Sequence, residues 1–321
     1  MLRLITMAIA AVAVAPRGCA QTFPSRPVTL IVPFAAGGPS DTIARIMAQA
    51  LTTQLGQNVL VENVTGAGGT IGIARVARAA PDGHTVLVSH VNHAMTASLY
   101  RRLDYRPADD FAPIGLLTDG PMVITARRNF APNTLAELLA HIRREGDRIT
   151  IANAGIGSGS HMCGLMLMSA LNTRMTPVPY RGTGPAMQDV IAGQVDVLCD
   201  QVTSAIGQIR GNQVKAYAVT SLQRIQALDL PTVVEGGLPN FEVNVWHAMY
   251  APRGTPEPIV QRLNEAMRAS LRDPTVLARL GDLATVPVAA DRQSPAVLGQ
   301  HLRAEIEKWG QVIRAAGEFA D

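Results

Sequence analysis

Two turns rich in glycine and serine offer the kind of backbone that binds an anion. The segments VPFAAGGPSDTIAR (32–45) and ANAGIGSGSH (152–161) each run from an apolar stretch through such a turn into an amphipathic pattern. A strand–turn–helix junction of this kind points free N–H groups at one spot, and the helix dipole adds partial positive charge there. Neither turn brings the set of side chains that chemistry on a ligand would require. Two such turns in separate halves of the chain predict two lobes that close on one small anion.

The first turn is expected to bind mainly through its backbone. Gly37 and Gly38 tolerate positive φ and let a ligand approach the main chain closely. Ser40 or Asp41 is expected to cap the helix that follows. Because carboxylates repel each other, Asp41 should cap or bridge through water rather than touch an anion directly. Phe34 is placed to cover a flat ligand, and the alternative interpretation of the whole segment is an ordinary turn without a ligand.

The second turn is rich in hydroxyl groups. Gly155 and Gly157 begin a dinucleotide-binding fingerprint, but Ser160 stands where its third glycine belongs, so the fingerprint is incomplete. The hydroxyls of Ser158 and Ser160 suit hydrogen bonding to ligand oxygen atoms. His161 is either a structural partner of the loop or a donor to the ligand. The spacing around Ser158 is not that of a nucleophile elbow.

Two further charged residues follow predicted strands. Arg181, in the turn YRGTGP, suits a bidentate pair with a carboxylate, and a salt bridge is the equal alternative. Asp200 ends the strand VDVLCD, at the edge where ligands sit in such sheets. It is expected either to bind a ligand group or an ordered water, or to make a structural hydrogen bond.

Four polar residues lie at the end of, just after or within two predicted strands: His90, Asn92, His93 and His247. The strands are HTVLVSH (84–90) and VNVWHAMYAP (243–252). Their spacing matches no zinc pattern, so no metal site is predicted. We expect them on loops at the mouth of the cleft, where they donate hydrogen bonds to a second polar end of the ligand. Imidazoles of ordinary pKa would become cationic as the pH falls, which predicts affinity rising from pH 8 to pH 6.

Strand and helix patterns alternate along the chain, with helices predicted at 135–145 and 159–170 among others. Such alternation predicts an α/β fold with a parallel sheet covered by helices.

The second set of elements is interpreted as an insertion. It predicts one lobe from 24–122 plus 247–321 and a second lobe from 123–246. Extended crossings near 122–127 and 243–248 would form a hinge, with the ligand cleft between the lobes.

The first 20 residues have the pattern of a secretory leader. Arg3 precedes an apolar run from Leu4 to Ala15, and small residues lead to a predicted cut after Ala20, with Ala15 as the alternative. The run is too short to span a bilayer. The mature protein is therefore predicted to be exported to the periplasm.

Composition excludes several classes of protein. A hydrophobic content of 47% with 17% charged residues is that of a folded chain rather than a disordered one. No basic stripe is interleaved with aromatic residues, so no nucleic-acid partner is expected. Cys163 and Cys199 remain after cleavage; a disulfide is open to them in an oxidising compartment, with two buried thiols as the default expectation.

Together the motifs resemble a known family. FPSRPVTLIVPFAAGGPSDTIAR, GAGGTIGIARVARAAPDGHTVLV, NAGIGSGSH and VPYRGTGPAMQDVIAGQVDVLCD are similar, in order, to segments of the Bug-type, or tripartite tricarboxylate transporter, extracytoplasmic solute receptors. The resemblance implies a type II periplasmic binding fold with two lobes, a hinge and a cleft. It also implies a small organic carboxylate as ligand and transient contact with a membrane permease. A monomer without cofactor is expected.

The resemblance also assigns roles to particular positions. The family's carboxylate grip corresponds here to a set of residues in the two turns and at the later strand end: Phe34, Ala36, Gly37, Gly38, Asp41, Gly157, Ser158, Ser160, His161 and Asp200. The sequence departs from the family at 90–93 and at His247, where selectivity is usually set. The class of ligand is thus implied, and its identity is left open.

Other functions compete with that of a non-catalytic receptor. A sensor that passes the signal to a signalling partner would have the same binding site. A secreted hydrolase would use Ser158 or Ser160 with His161, although adjacent residues on one turn rarely form a productive pair. A nucleotide-dependent oxidoreductase is disfavoured by the leader and the incomplete glycine fingerprint.

Overall fold

The computed structural model describes residues 23–316 and 319–320 of the 321-residue chain. The predicted leader, 1–20, lies outside the described residues, and its cleavage site stays a prediction. None of the helices in the described part is both long and apolar enough to cross a membrane.

The described residues form one continuous sheet with helices on its faces. The strands are β1 Val28–Val32, β2 Val59–Asn63, β3 Thr85–His90, β4 Phe111–Arg127, β5 Thr150–Asn153, β6 Thr176–Pro179, β7 Val197–Gln201, β8 Val214–Val219, β9 Asn244–Pro252 and β10 Val286–Pro287. Their order is β2-β1-β3-β9-β4-β7-β5-β6, and β8 and β10 pair with β4.

The helices connect and cover these strands. They are α1 Pro39–Leu55, α2 Thr70–Ala77, α3 Asn92–Leu99, α4 Leu135–Glu145, α5 Gly159–Leu171, α6 Thr183–Ile191, α7 Val202–Arg210, α8 Glu257–Ser270, α9 Pro274–Asp282 and α10 Pro295–Ala316. Local signals explain several starts: Thr134 caps α4 by accepting from the Glu137 N–H, and Ser158 caps α5 in the same way.

The sheet is mixed, which corrects the prediction of a parallel sheet. β1 pairs in parallel with β2 and β3, and β5 with β6 and β7, but β9 runs antiparallel to both β3 and β4. Alternation of strand and helix patterns indicates which elements form and in what order. The direction of each strand depends on how the chain crosses between the two halves of the sheet.

The long strand β4 joins the two halves. Its residues 111–121 pair with β9, and its residues 122–127 pair with β7 and β8. We call the part built on β1, β2, β3 and β9 the first lobe, and the part built on β5, β6, β7 and β8 the second lobe. The predicted α/β fold of two lobes is thereby confirmed, and the sequence boundaries of the lobes stay a prediction.

A disulfide links Cys163 on α5 to Cys199 on β7, across a sequence separation of 36 residues. The default expectation of two buried thiols is therefore wrong. Both side chains are fully buried where the helix packs on the strand, so they face each other. The bond holds the helix that follows the second turn against the strand that carries Asp200.

Candidate ligand-binding site

The starts of four helices converge on one cavity between the lobes. α1 contributes from the first lobe, and α5, α6 and α7 contribute from the second. The cavity has a volume of about 20 Å³, enough for a single water molecule. Each helix start offers N–H groups without intrahelical partners and partial positive charge. The lobes thus stand nearly closed around a site suited to an anion.

Six of the residues that the sequence singled out line this cavity: Phe34, Gly38, His90, Ser158, Ser160 and Asp200. Seven lining residues were not predicted to bind a ligand: Pro39, Ser40, Met122, Ala154, Gly159, Thr183 and Gln201. Ser40 and Thr183 follow the glycines of turns that the sequence did single out, so the hydroxyls beside those turns were an available signal. Met122 and Gln201 face each other across β4 and β7 and carry no such signal.

Asp41 holds the first turn rather than facing the cavity. Its Oδ2 accepts from the Gly37 N–H and from Arg45 Nε, each at 3.0 Å, and its Oδ1 accepts from Asn63 Nδ2 at 3.0 Å. The Gly37 N–H is therefore used within the protein, contrary to the expectation that it faces the ligand. The cap of α1 is the Gly38 backbone, so neither Ser40 nor Asp41 caps it as predicted.

Burial alone would raise the pKa of Asp41, but hydrogen bonds from Arg45, Gly37 and Asn63 outweigh it and lower the pKa.

We expect Asp41→Asn to destabilise the protein by about 1 kcal/mol at pH 7, a modest cost because Arg45 is half exposed. A lowered native pKa stabilises above the unfolded value and loses that effect as the pH falls. Urea unfolding should show the difference shrink below about pH 4; a constant difference would contradict an ionic role.

The second turn is closed by its own hydroxyls. Ser158 Oγ accepts from the His161 N–H at 3.2 Å, and Ser160 Oγ accepts from the Ala154 N–H at 2.8 Å. The two hydroxyls lie 3.0 Å apart, so one donates to the other and the second proton is free for the cavity.

His161 is a structural partner of the loop, and its other predicted role, as a donor to the ligand, stays a prediction. Its Nδ1 accepts from the Gly157 N–H at 3.3 Å, so that N–H is also occupied. Burial lowers the pKa of His161 to about 4. In the described structure its ring nitrogen bonds to the backbone and to neither serine, so the arrangement expected of a hydrolase is not formed.

His90 is a neutral donor at the cavity. Its ring stacks on Phe34 with centroids 4.7 Å apart, and its Nδ1 accepts from the Asn92 N–H at 3.0 Å. A backbone N–H only donates, so the ring proton of neutral His90 resides on Nε2. Burial, together with the neighbouring His247, lowers the pKa of His90 well below its ordinary value.

Asn92, His93 and His247 were predicted to lie on loops at the mouth of the cleft, but none of them lies there. Asn92 starts α3, where its amide donates to the Gly68 carbonyl at 3.3 Å. His93 packs in the core against Tyr250 and donates to a backbone carbonyl. His247 lies within β9 behind Ser40.

Burial lowers the pKa values of His93 and His247 to about 3. The expected protonation of these imidazoles between pH 8 and pH 6 is therefore wrong, because a buried imidazolium has lost its hydration.

Asp200 supplies a carboxyl group to the cavity. It is 1% exposed, and its carboxylate accepts from Ser204 Oγ at 2.6 Å and from the Gln201 N–H at 2.8 Å. Burial raises the pKa of Asp200 to about 6, and the hydrogen bonds only partly oppose this. A bound anion beside it would favour the protonated form further.

The remaining predicted residues lie near the cavity but not in it. Ala36 and Gly37 line an adjoining pocket of about 310 Å³ that shares Asp200 with the central cavity. Arg181 has an exposed side chain in an outer groove, and its carbonyl accepts from the Ala35 N–H at 2.9 Å. That hydrogen bond joins the two lobes. A direct contact of these residues with a ligand stays a prediction.

Two lobes that close on a cavity ringed by helix starts define a type II periplasmic binding protein. The chain belongs to the tripartite tricarboxylate transporter family receptors, because that family's profile matches residues 43–318. The family resemblance seen in the sequence is thereby confirmed.

Three solved structures are similar over nearly the whole chain. The periplasmic binding protein BugD is 45% identical with a TM-score of 0.91, covering 93% of this chain and 100% of that one. MatC from Rhodopseudomonas palustris, with bound malate, is 43% identical with a TM-score of 0.88, covering 91% and 100%. Another R. palustris protein, with adipate, is 30% identical with a TM-score of 0.87, covering 92% and 98%.

Proposed function

We propose that this protein is an extracytoplasmic receptor that binds a small dicarboxylate between its lobes and delivers it to a tripartite tricarboxylate-type permease. The observation that carries the proposal is the convergence of four helix starts and of hydroxyl and imidazole donors on one cavity. Donors on both lobes suit a ligand with two anionic ends. Malate in MatC and adipate in the R. palustris protein support a dicarboxylate.

Two observations support an exported receptor that does no chemistry. Disulfides persist in oxidising compartments and are rare in the cytosol, so the Cys163–Cys199 bond fits the predicted leader. The serines of the second turn are engaged with each other and with backbone N–H groups rather than with a base.

We propose that the protein acts as a monomer.

Ligand entry requires the lobes to open. The cavity of about 20 Å³ is far smaller than a dicarboxylate, since ligand pockets usually measure about 300 Å³ or more. We propose a hinge where β4 leaves the first lobe at Pro121 and the chain returns at Asn244, two residues that pair with each other. The predicted lobes, 24–122 with 247–321 and 123–246, would move as units about it.

A thermal-shift series tests the proposal with L-malate, succinate and adipate, and with the diamide of malate as an uncharged control. A bound dicarboxylate should raise Tm by several degrees at saturating concentration. The diamide should not. No shift with any carboxylate, or conversion of a bound ligand seen by mass spectrometry, would contradict a dicarboxylate receptor. Uptake of labelled ligand in cells with and without the receptor tests delivery.

A further inference from the structure

Three side chains form a row across the sheet beside the cavity. His247 on β9 pairs with His90 on β3 at one side and with Thr118 on β4 at the other. His247 is 1% exposed and does not line the cavity. It therefore acts on a ligand only through a neighbour.

That neighbour is Ser40, in the first turn of α1. His247 Nε2 lies 3.0 Å from Ser40 Oγ, and His247 Nδ1 lies 3.4 Å from Thr118 Oγ1. Burial keeps the His247 imidazole neutral, so it carries one proton. One ring nitrogen donates and the other accepts. Which nitrogen carries the proton decides whether Ser40 presents a donor or an acceptor to the cavity.

The two tautomers give Ser40 opposite characters. With the proton on Nδ1, Nε2 must accept a hydrogen bond from Ser40. The hydroxyl proton of Ser40 is then used, and its oxygen faces the cavity as an acceptor. With the proton on Nε2, the ring donates to Ser40 Oγ and Thr118 donates to Nδ1. The Ser40 proton is then free to point at a ligand. A carboxylate requires the second arrangement, because it only accepts.

The distances allow this arrangement. The 3.0 Å contact between His247 Nε2 and Ser40 Oγ has an ordinary N–H···O length, and the contact between Nδ1 and Thr118 Oγ1 is longer, at 3.4 Å. His90 carries its proton on Nε2 for an independent reason, its hydrogen bond from the Asn92 N–H.

We propose, building on the dicarboxylate function above, that His247 is a positioning residue: with Thr118 it keeps its proton on Nε2 and presets the Ser40 hydroxyl as a donor to the ligand carboxylate. The site is then prepared for an anion before the ligand arrives. His247 is thus a determinant of ligand charge, although it touches no ligand.

A double-mutant cycle measured by calorimetry with L-malate tests the coupling. Ser40→Ala and His247→Phe should each weaken binding about tenfold, and the double variant should bind no more weakly than Ser40→Ala alone. His247→Gln keeps an N–H donor at the end of the side chain and should recover part of the loss. The control, His93→Phe, removes a buried histidine of the core and should leave affinity unchanged. Additive losses, or no loss in His247→Phe, would overturn the proposal.

Nuclear magnetic resonance of histidine-labelled wild-type protein shows directly which ring nitrogen of His247 carries the proton. A variant is needed only to assign the signal of His247. In the ligand-free protein His247 should show a protonated Nε2 and an unprotonated Nδ1, and the same state should persist with L-malate. A proton on Nδ1 would refute the proposal. If the wild-type protein binds neither malate nor adipate, the dicarboxylate function fails, and this measurement still decides the tautomer of His247.

Discussion

Gly184→Ala is expected to weaken ligand binding roughly 10- to 100-fold by obstructing closure of the lobes. A Cβ at Gly184 would lie 2.5 Å from the Ala36 carbonyl oxygen and 3.2 Å from the Gly37 carbonyl carbon, both on the first lobe. These are backbone atoms, which give way less easily than the end of a side chain. If the lobes open as proposed, the substitution should meet no such obstacle in the open state, and alanine is the better helix former within α6.

Calorimetry and small-angle scattering measure the two consequences together. With saturating ligand the wild-type radius of gyration should decrease, and that of Gly184→Ala should decrease less. Gly182→Ala should act alike, because its Cβ would lie 2.8 Å from the Ala35 nitrogen. The control is Gly281→Ala on α9, where nothing lies within 4 Å. Unchanged affinity in both interlobe variants would show that binding does not need this closed contact.

Asp200→Asn is expected to remove a pH dependence of stability worth about 2 kcal/mol between pH 4.5 and pH 8. Burial raises the native pKa of Asp200 to about 6 from an ordinary 3.8. A raised carboxyl pKa stabilises the fold at low pH, and the effect is lost as the pH rises through the native pKa. The wild-type protein should therefore lose stability relative to Asp200→Asn as the pH increases.

Urea unfolding of the ligand-free proteins at several pH values checks this. Asp196→Asn is the matched control, because hydrogen bonds from Thr150 and Arg127 outweigh burial and lower the pKa of Asp196. That residue stays ionised throughout the range, so its variant should differ from wild type by a constant amount. A constant difference for Asp200→Asn as well would contradict the raised pKa.

We expect Asp200, rather than the histidines, to make ligand binding depend on pH. An anion bound beside Asp200 should draw a proton onto it, so calorimetry with L-malate at pH 7 should give an enthalpy that depends on the buffer. Asp200→Asn should abolish that dependence. Affinity would then rise as the pH falls, the direction predicted from the sequence, but through a carboxyl group rather than an imidazole.

Local signals in the sequence predicted much of the fold. Helix α4 spans Leu135–Glu145, the bounds that its pattern predicted, because Thr134 and Glu137 supply a capping signal within the segment itself. Helix α3 was not predicted, since Asn92–Leu99 is buried on most sides and has little amphipathic pattern. Strand β4 begins at Phe111, earlier than the segment at 122–127, because glycine and proline interrupt its first half.

The sequence by itself determined the class of the protein: an α/β chain with two glycine-rich turns opening helices, in the order of a known receptor family. Tertiary structure alone decided which groups the cavity offers. The Gly37 N–H is taken by Asp41, and His247 reaches Ser40 across a sequence separation of 207 residues. The pKa of Asp200 depends on burial that both lobes create. Turns and helix starts follow from neighbouring residues, whereas desolvation and the direction of a proton depend on residues that are distant in sequence and meet only in the folded chain.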